Sequence, residues 1–233
     1  MDLTSDSIAL NFFIVMYYDW IRKGKPIGSD LKANQFRKNC LILWDKLIYE
    51  YVTVQWRGSG DTKIASNISA LKNEDDLFVP ISSEQWIRLF EEIEETGKVM
   101  GNALSVKSMK PILYHLYCLK SIQGPDTLYP IEVDHIIPQN LFETAPISNK
   151  ESIMHSICNL GLLPKKENIC KSKKRLIEIS DEWLKSQIEK YEFVKPEEYI
   201  KYSDIANYAT IYEERIDLFK NVFNVTRSSV LNN

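Results

Sequence analysis

The sequence predicts a mostly α fold: a helical scaffold with one small strand-strand-helix (ββα) unit embedded in it. Three observations carry that reading. Capped, apolar-patterned segments fill residues 1–120 and 181–233. Between them lie two short apolar runs, within "YPIEVDHIIPQN" and "NLGLLP", bounded by proline and asparagine as strands are. Directly after the second run, "KKENICKSKKR" places its basic residues at three-and-four spacing, the period of a helix face.

Each element follows in order. Asp6 is the expected N-cap of a helix over Ser7–Arg22, which is apolar on nearly every side, and "GKPIG" breaks the chain before a helix from about Asp30 to Gln55. "WRGSGD" reads as a loop ahead of a helix at Thr62–Leu71; it lacks the Gly-Lys-Ser/Thr ending of a phosphate-binding P-loop. Ser82 and Gln85 are spaced as a capping box for Glu84–Thr96, and Pro111 suits the first turn of a helix through Lys120. "SIQGPDTLYP" ends the helical half, and a strand follows at Ile131–His135. A short helix is expected at Asn149–Ile157, where Ser148 and Glu151 form another capping-box pair, then a strand at Asn159–Pro164 and a helix at Lys165–Arg175. Two amphipathic stretches separated at Pro196 complete the chain. The order divides into a helical domain (1–125), the ββα unit (126–180) and C-terminal helices packing on it (181–233).

Composition narrows the function classes. A hydrophobic share of 44% with 26% charged residues over 233 positions belongs to a soluble globular protein and excludes disorder. "SIALNFFIVMYY" is too short to span a membrane, and acidic Asp2 and Asp6 stand where a signal peptide carries positive charge, so no membrane partner is expected. The four cysteines form no Cys-x-x-Cys pair, which argues against a disulfide framework or structural zinc and fits the cytoplasm; Cys158 and Cys170 read as small core residues. Net charge is −3, yet the segment Pro164–Arg175 carries a local +5, leaving −8 for the rest. One small face is therefore basic, as a phosphate-backbone contact requires.

Asp134 and His135 end the first strand, and Asn168 lies in the first turn of the helix after the second. An antiparallel strand pair backed by that helix brings a carboxylate, an imidazole and an amide oxygen to one place. Those groups suit phosphodiester hydrolysis with a single hard cation, Mg²⁺ or Mn²⁺: the oxygens hold the ion, and the imidazole takes a proton from the attacking water. On the helix Lys165, Asn168, Lys171, Ser172 and Arg175 share one face, and Lys165, Lys171 and Arg175 are expected to hold DNA phosphates. Glu132 shares the strand face of Asp134, as a further ligand or simply as an exposed acid. His115, in "ILYHLYCL", reads as a core histidine; His155 reads as a loop residue near enough to touch phosphate.

"VDHIIPQN" followed by "NLGLLPKKENICKSK" resembles the HNH endonucleases, the His-Me finger or ββα-metal group, over roughly residues 129–175. The resemblance implies that Asp134 and Asn168 bind metal, that His135 is the general base, and that Asn159 braces the loop so that the imidazole points correctly. It also implies 5′-phosphate and 3′-hydroxyl products. The step from Asn159 to Asn168, with Lys171 after it, is similar to the HNH domain of the CRISPR effector nuclease. No zinc knuckle is present, so the surrounding helices must support the unit. More weakly, "WRGSGD", "NLGLLPKKEN" and the helical first half resemble the C-terminal half of GmrSD-type restriction proteins. That family's nucleotide-hydrolysing half carries an Asp-Gly-Gln-Gln-Arg motif absent from this chain, so the expectation is a missing N-terminal domain, a stand-alone relative, or a nucleotide-hydrolysing partner subunit; the resemblance also implies a role in restriction or phage defence. The expectation is a metal-dependent DNA endonuclease; the alternatives are a non-cleaving nucleic-acid-binding or regulatory module working with a partner, and an RNA-cutting toxin with the same chemistry.

Overall fold

Helices form where the capping signals mark them in the computed structural model, which describes residues 6–56, 60–73, 77–121, 130–145 and 150–232. α1 (Asp6–Arg22) packs on α2 (Leu31–Val52) and α3 (Gly60–Lys72). Asp30 opens α2 by accepting the Ala33 amide at 2.7 Å. α4 (Ser83–Thr96) starts on the expected reciprocal box between Ser82 and Gln85. A small hairpin follows that the sequence reading did not contain: β1 (Lys98–Val99) and β2 (Asn102–Ala103), turned by Met100 and Gly101 with φ of 49° and 73°. Positive φ at both central residues is the type I′ geometry of two-residue hairpins. α5 (Val106–Lys120) begins after Ser105, which bonds reciprocally with Ser108, so Pro111 lies inside the helix and not in its first turn.

The strand-strand-helix region comprises β3 (Ile131–His135), α6 (Gln139–Thr144), α7 (Lys150–Met154), β4 (Leu160–Pro164) and α8 (Lys165–Lys171). Ser148, the expected cap of α7, lies outside the described residues. β3 and β4 are antiparallel, with Asp134 opposite Gly161 and His135 opposite Leu160. α8 stops short of the expected Arg175 because Ser172 turns the chain with φ of 50° and ψ of −129°. Then come α9 (Glu182–Glu192), α10 (Tyr199–Tyr202) and α11 (Tyr208–Asn221), the last running through a π-helical turn at Val222–Thr226 into α12 (Arg227–Asn232).

A two-stranded sheet is marginal by itself. Here every residue of β4 is buried, and α5, α8 and α9 pack against it. One apolar core runs from Ile48 and Trp86 through Leu113 and Leu162 to Ile188 and Phe223, so the segments 1–125, 126–180 and 181–233 share it. A second cluster of Ile8, Val15, Leu43, Leu47 and Leu71 joins the first three helices. Buried Asp45 on α2 accepts from Arg227 Nε and Nη2, each at 2.6 Å, and contacts His115 at 2.8 Å, tying α12 and α5 to the N-terminal half. Among the described residues no helix is long and apolar enough to cross a membrane.

Candidate functional site

Pairing of β3 with β4 sets the site. Asp134 and His135 end β3, and the strand register holds them above Gly161 and Leu160. A cleft of about 260 Å³ opens there, lined by Asp134, His135, Gln139, Asn140, Asn168 and Lys173 among others. Three of the residues singled out in the sequence, Asp134, His135 and Asn168, therefore share one cavity.

Asn159 lies beneath it, 0% exposed, in a 3-10 turn leading into β4. Its amide oxygen accepts the Ile137 N–H at 2.9 Å, while its nitrogen donates to the Ile137 carbonyl at 3.2 Å and the Met154 carbonyl at 3.0 Å. Its main-chain carbonyl also accepts the Ile136 N–H at 2.9 Å. Asn159 thus carries on where the ladder ends at His135, its main chain holding Ile136 and its side chain Ile137. Asn159 acts on the cleft only through this loop.

His135 is half-buried. Burial and then the neighbouring His155 push its imidazole down to about 4, with the Asp134 carboxylate restoring only part of the loss. At neutral pH the ring is neutral and has a lone pair to offer. His135 Nε2 lies 3.1 Å from His155 Nδ1, and the Gln139 amide nitrogen is 3.2 Å from the same Nε2. His155, read as a loop residue, is therefore part of the site. Spacing could not show it, because two short helices, α6 and α7, lie between the two histidines.

Glu132 accepts the Asn168 amide at 3.1 Å and has the Lys165 ammonium at 3.8 Å, so it orients two neighbours. Lys165 is exposed at the start of α8. Arg175 is also exposed, off the helix, and its guanidinium bonds Glu178 at 2.7–2.8 Å. Lys173 lines the cleft although helix spacing did not select it; the turn at Ser172 brings it there. Cys158 is buried as expected, whereas Cys170 is exposed.

Lys171 corrects the sequence reading. It was expected to reach phosphate, but its side chain is 0% exposed and its ammonium bonds the Asp134 carboxylate, the His135 carbonyl at 3.1 Å and the Glu192 carboxylate at 3.1 and 3.3 Å. Burial opposes the charge, yet Asp134 and Glu192 outweigh it and raise the Lys171 pKa. For Glu192, burial and the nearby Asp134 prevail over Lys171 and push the carboxyl up to about 8. Glu192 comes this close because Gly161 has no side chain: a Cβ there would lie 2.8 Å from Glu192 Cγ. Arg215 completes the arrangement, donating to the Glu192 and Leu160 carbonyls at 2.9 and 3.0 Å.

Among the described residues no three His, Cys, Asp or Glu side chains converge on one point. The residues lining the cleft with side-chain oxygens are Asp134 and Glu143, the amides Gln139, Asn140 and Asn168, and Ser172, and Asn140 Oδ1 is buried without a hydrogen-bond partner. That set is poor for Zn²⁺, which wants nitrogen and sulfur, and it fits a hard cation that keeps most of its water.

No known protein-family model matches the chain, and no curated protein or solved structure matches it significantly either.

Proposed function

We propose that the chain is a metal-dependent endonuclease of the HNH type, hydrolysing DNA phosphodiester bonds, with a place in restriction or phage defence. The observation that carries the reading is a neutral imidazole, His135, in one cleft with the oxygen donors Asp134 and Asn168. His135 takes the proton of the attacking water, a task that needs the unprotonated ring. Asp134 and Asn168 hold Mg²⁺ or Mn²⁺, which when bound supplies charge to offset that building on the phosphate. Asn159 keeps the Ile136–Ile137 loop in place, so His135 keeps its angle. Lys173 at the cleft and the exposed Lys165 and Arg175 of the same basic segment meet the DNA backbone, and Lys171 instead holds Asp134 from below.

The test is plasmid nicking with Mg²⁺, Mn²⁺ or EDTA, comparing wild type with His135→Ala and Asn168→Ala. Metal-dependent cutting that disappears in both variants, with DNA binding retained, is the expected result. Equal cutting by His135→Ala sinks the assignment. The second reading, a non-cleaving binding module that works with a nucleotide-hydrolysing partner, has one observation in its favour: Asp134 already faces a cation, the Lys171 ammonium. DNA binding without cleavage under every divalent ion would bring it forward.

A further inference from the structure

We propose that His155 is a positioning residue that fixes the tautomer of His135, so that Nδ1 of His135 is the basic nitrogen of the cleft. Through that role it deepens the nuclease reading and rests on it.

The geometry is specific. His135 Nε2 and His155 Nδ1 are 3.1 Å apart, with the rings edge to face at 69°. Two neutral imidazoles joined nitrogen to nitrogen share one proton, so one ring donates and the other accepts. Neutral histidine intrinsically prefers its proton on Nε2. An Nε2-to-Nδ1 contact is the pairing in which both rings keep that preferred form: His135 donates from Nε2–H, and His155 accepts on a bare Nδ1. The opposite assignment forces both rings into the less favourable tautomer. His135 Nδ1 then carries the lone pair, and the Gln139 amide nitrogen, 3.2 Å from Nε2 and 3.4 Å from Nδ1, is left with Nδ1 as its acceptor on the ring.

The consequence for chemistry follows directly. When His135 Nδ1 takes a proton from water, the ring becomes a cation with both nitrogens protonated, and hydroxide leaves toward the phosphorus. The Nε2–H bond to His155 becomes charge-assisted at that moment and strengthens. In this step His155 acts through His135 alone, by the bond between Nε2 and Nδ1. A carboxylate performs the same orienting task in hydrolase triads, where it both sets the tautomer and stabilises the imidazolium.

The experiment is a two-bond ¹H–¹⁵N correlation spectrum of ¹⁵N-histidine-labelled protein at pH 8, where the three histidines are assigned by substitution. Wild type should show His135 protonated on Nε2 with a bare Nδ1. In His155→Phe that pure state should give way to a mixture of tautomers, and in His155→Asn, whose amide oxygen stands near the old Nδ1, it should return. With cleavage measured alongside, kcat should fall about 10- to 100-fold in His155→Phe, the range for removing such an orienting partner, at unchanged KM, and recover in His155→Asn. A wild-type His135 protonated on Nδ1, or a His155→Phe spectrum identical to wild type, overturns the proposal. Because the spectrum needs no turnover, it decides the matter whether or not the chain cuts DNA.

Discussion

Replacing Lys171 by methionine separates the two places its ammonium has been assigned. In the structure the side chain is 0% exposed, and its ammonium bonds the Asp134 carboxylate, the Glu192 carboxyl and the His135 carbonyl. Methionine has similar reach and fills the space, but leaves Asp134 as a buried charge without its partner. Breaking one side of a buried ion pair costs about 3–5 kcal/mol, and the lost bond to His135 overlaps with that term and does not add to it in full. Set against a total stability of about 5–15 kcal/mol, such a loss should bring the urea midpoint far down at pH 7. Tryptophan fluorescence reports it, with Trp86 fully buried in the core. Adding Asp134→Asn and Glu192→Gln to Lys171→Met should recover most of the loss, since removing all the charges together removes the imbalance. A loss under about 1 kcal/mol, together with weaker DNA binding and a salt slope shallower by about one unit, would refute the reasoning and place the ammonium at a phosphate.

Four other outcomes follow from the same geometry. Glu192 has a folded pKa near 8 against an ordinary 4.5, so its contribution to stability is full below about pH 4.5 and lost as pH rises through 8; urea unfolding of Glu192→Gln should show a flatter decline over that window than wild type. His135, held near 4, should keep kcat/KM level down to about pH 5, whereas a base at an ordinary 6.5 would lose about tenfold by pH 5.5; a half-maximum near 6.5 would contradict its burial. Gly161→Ala should cost about 1–3 kcal/mol in chemical denaturation, because its Cβ would meet Glu192 in a filled interior. Asn159→Ala leaves the Ile137 amide and carbonyl without their partners and should destabilise by about 1–3 kcal/mol while lowering kcat more than KM.

The strand Ile131–His135 was legible to the residue because its apolar run ends at a proline-bearing turn, and the box at Ser82 and Gln85 because both partners lie within one helical turn. Asp134, His135 and Asn168 could be brought together on paper for a similar reason: they sit on adjacent elements of one unit. Lys171 shows where that reasoning stops. Three-residue spacing correctly put it on the face of Asn168, but whether that face meets solvent depends on Glu192, a long way down the chain at the end of α9. A buried acid on a distant helix leaves no local mark. Arg175 lies off the helix for a different cause, the turn at Ser172, whose positive φ is unusual for serine and has no sequence signal. The β1–β2 hairpin escaped because two-residue strands have no periodicity to detect.

These same distant contacts explain how so small a sheet is held in place. Five residue pairs cannot stabilise an antiparallel ribbon alone. α9 lies directly on β4, Gly161 admits the Glu192 side chain, and Arg215 on α11 bonds a carbonyl of each, so strand and helix end are joined by polar contacts on top of their shared apolar core. Lys171 then links that assembly upward, from Glu192 to Asp134 and the His135 carbonyl. The position of the cleft's carboxylate and imidazole thus depends on residues beyond 181 as well as on Lys171 and Asn159, and the C-terminal helices help to hold the β3–β4 pair.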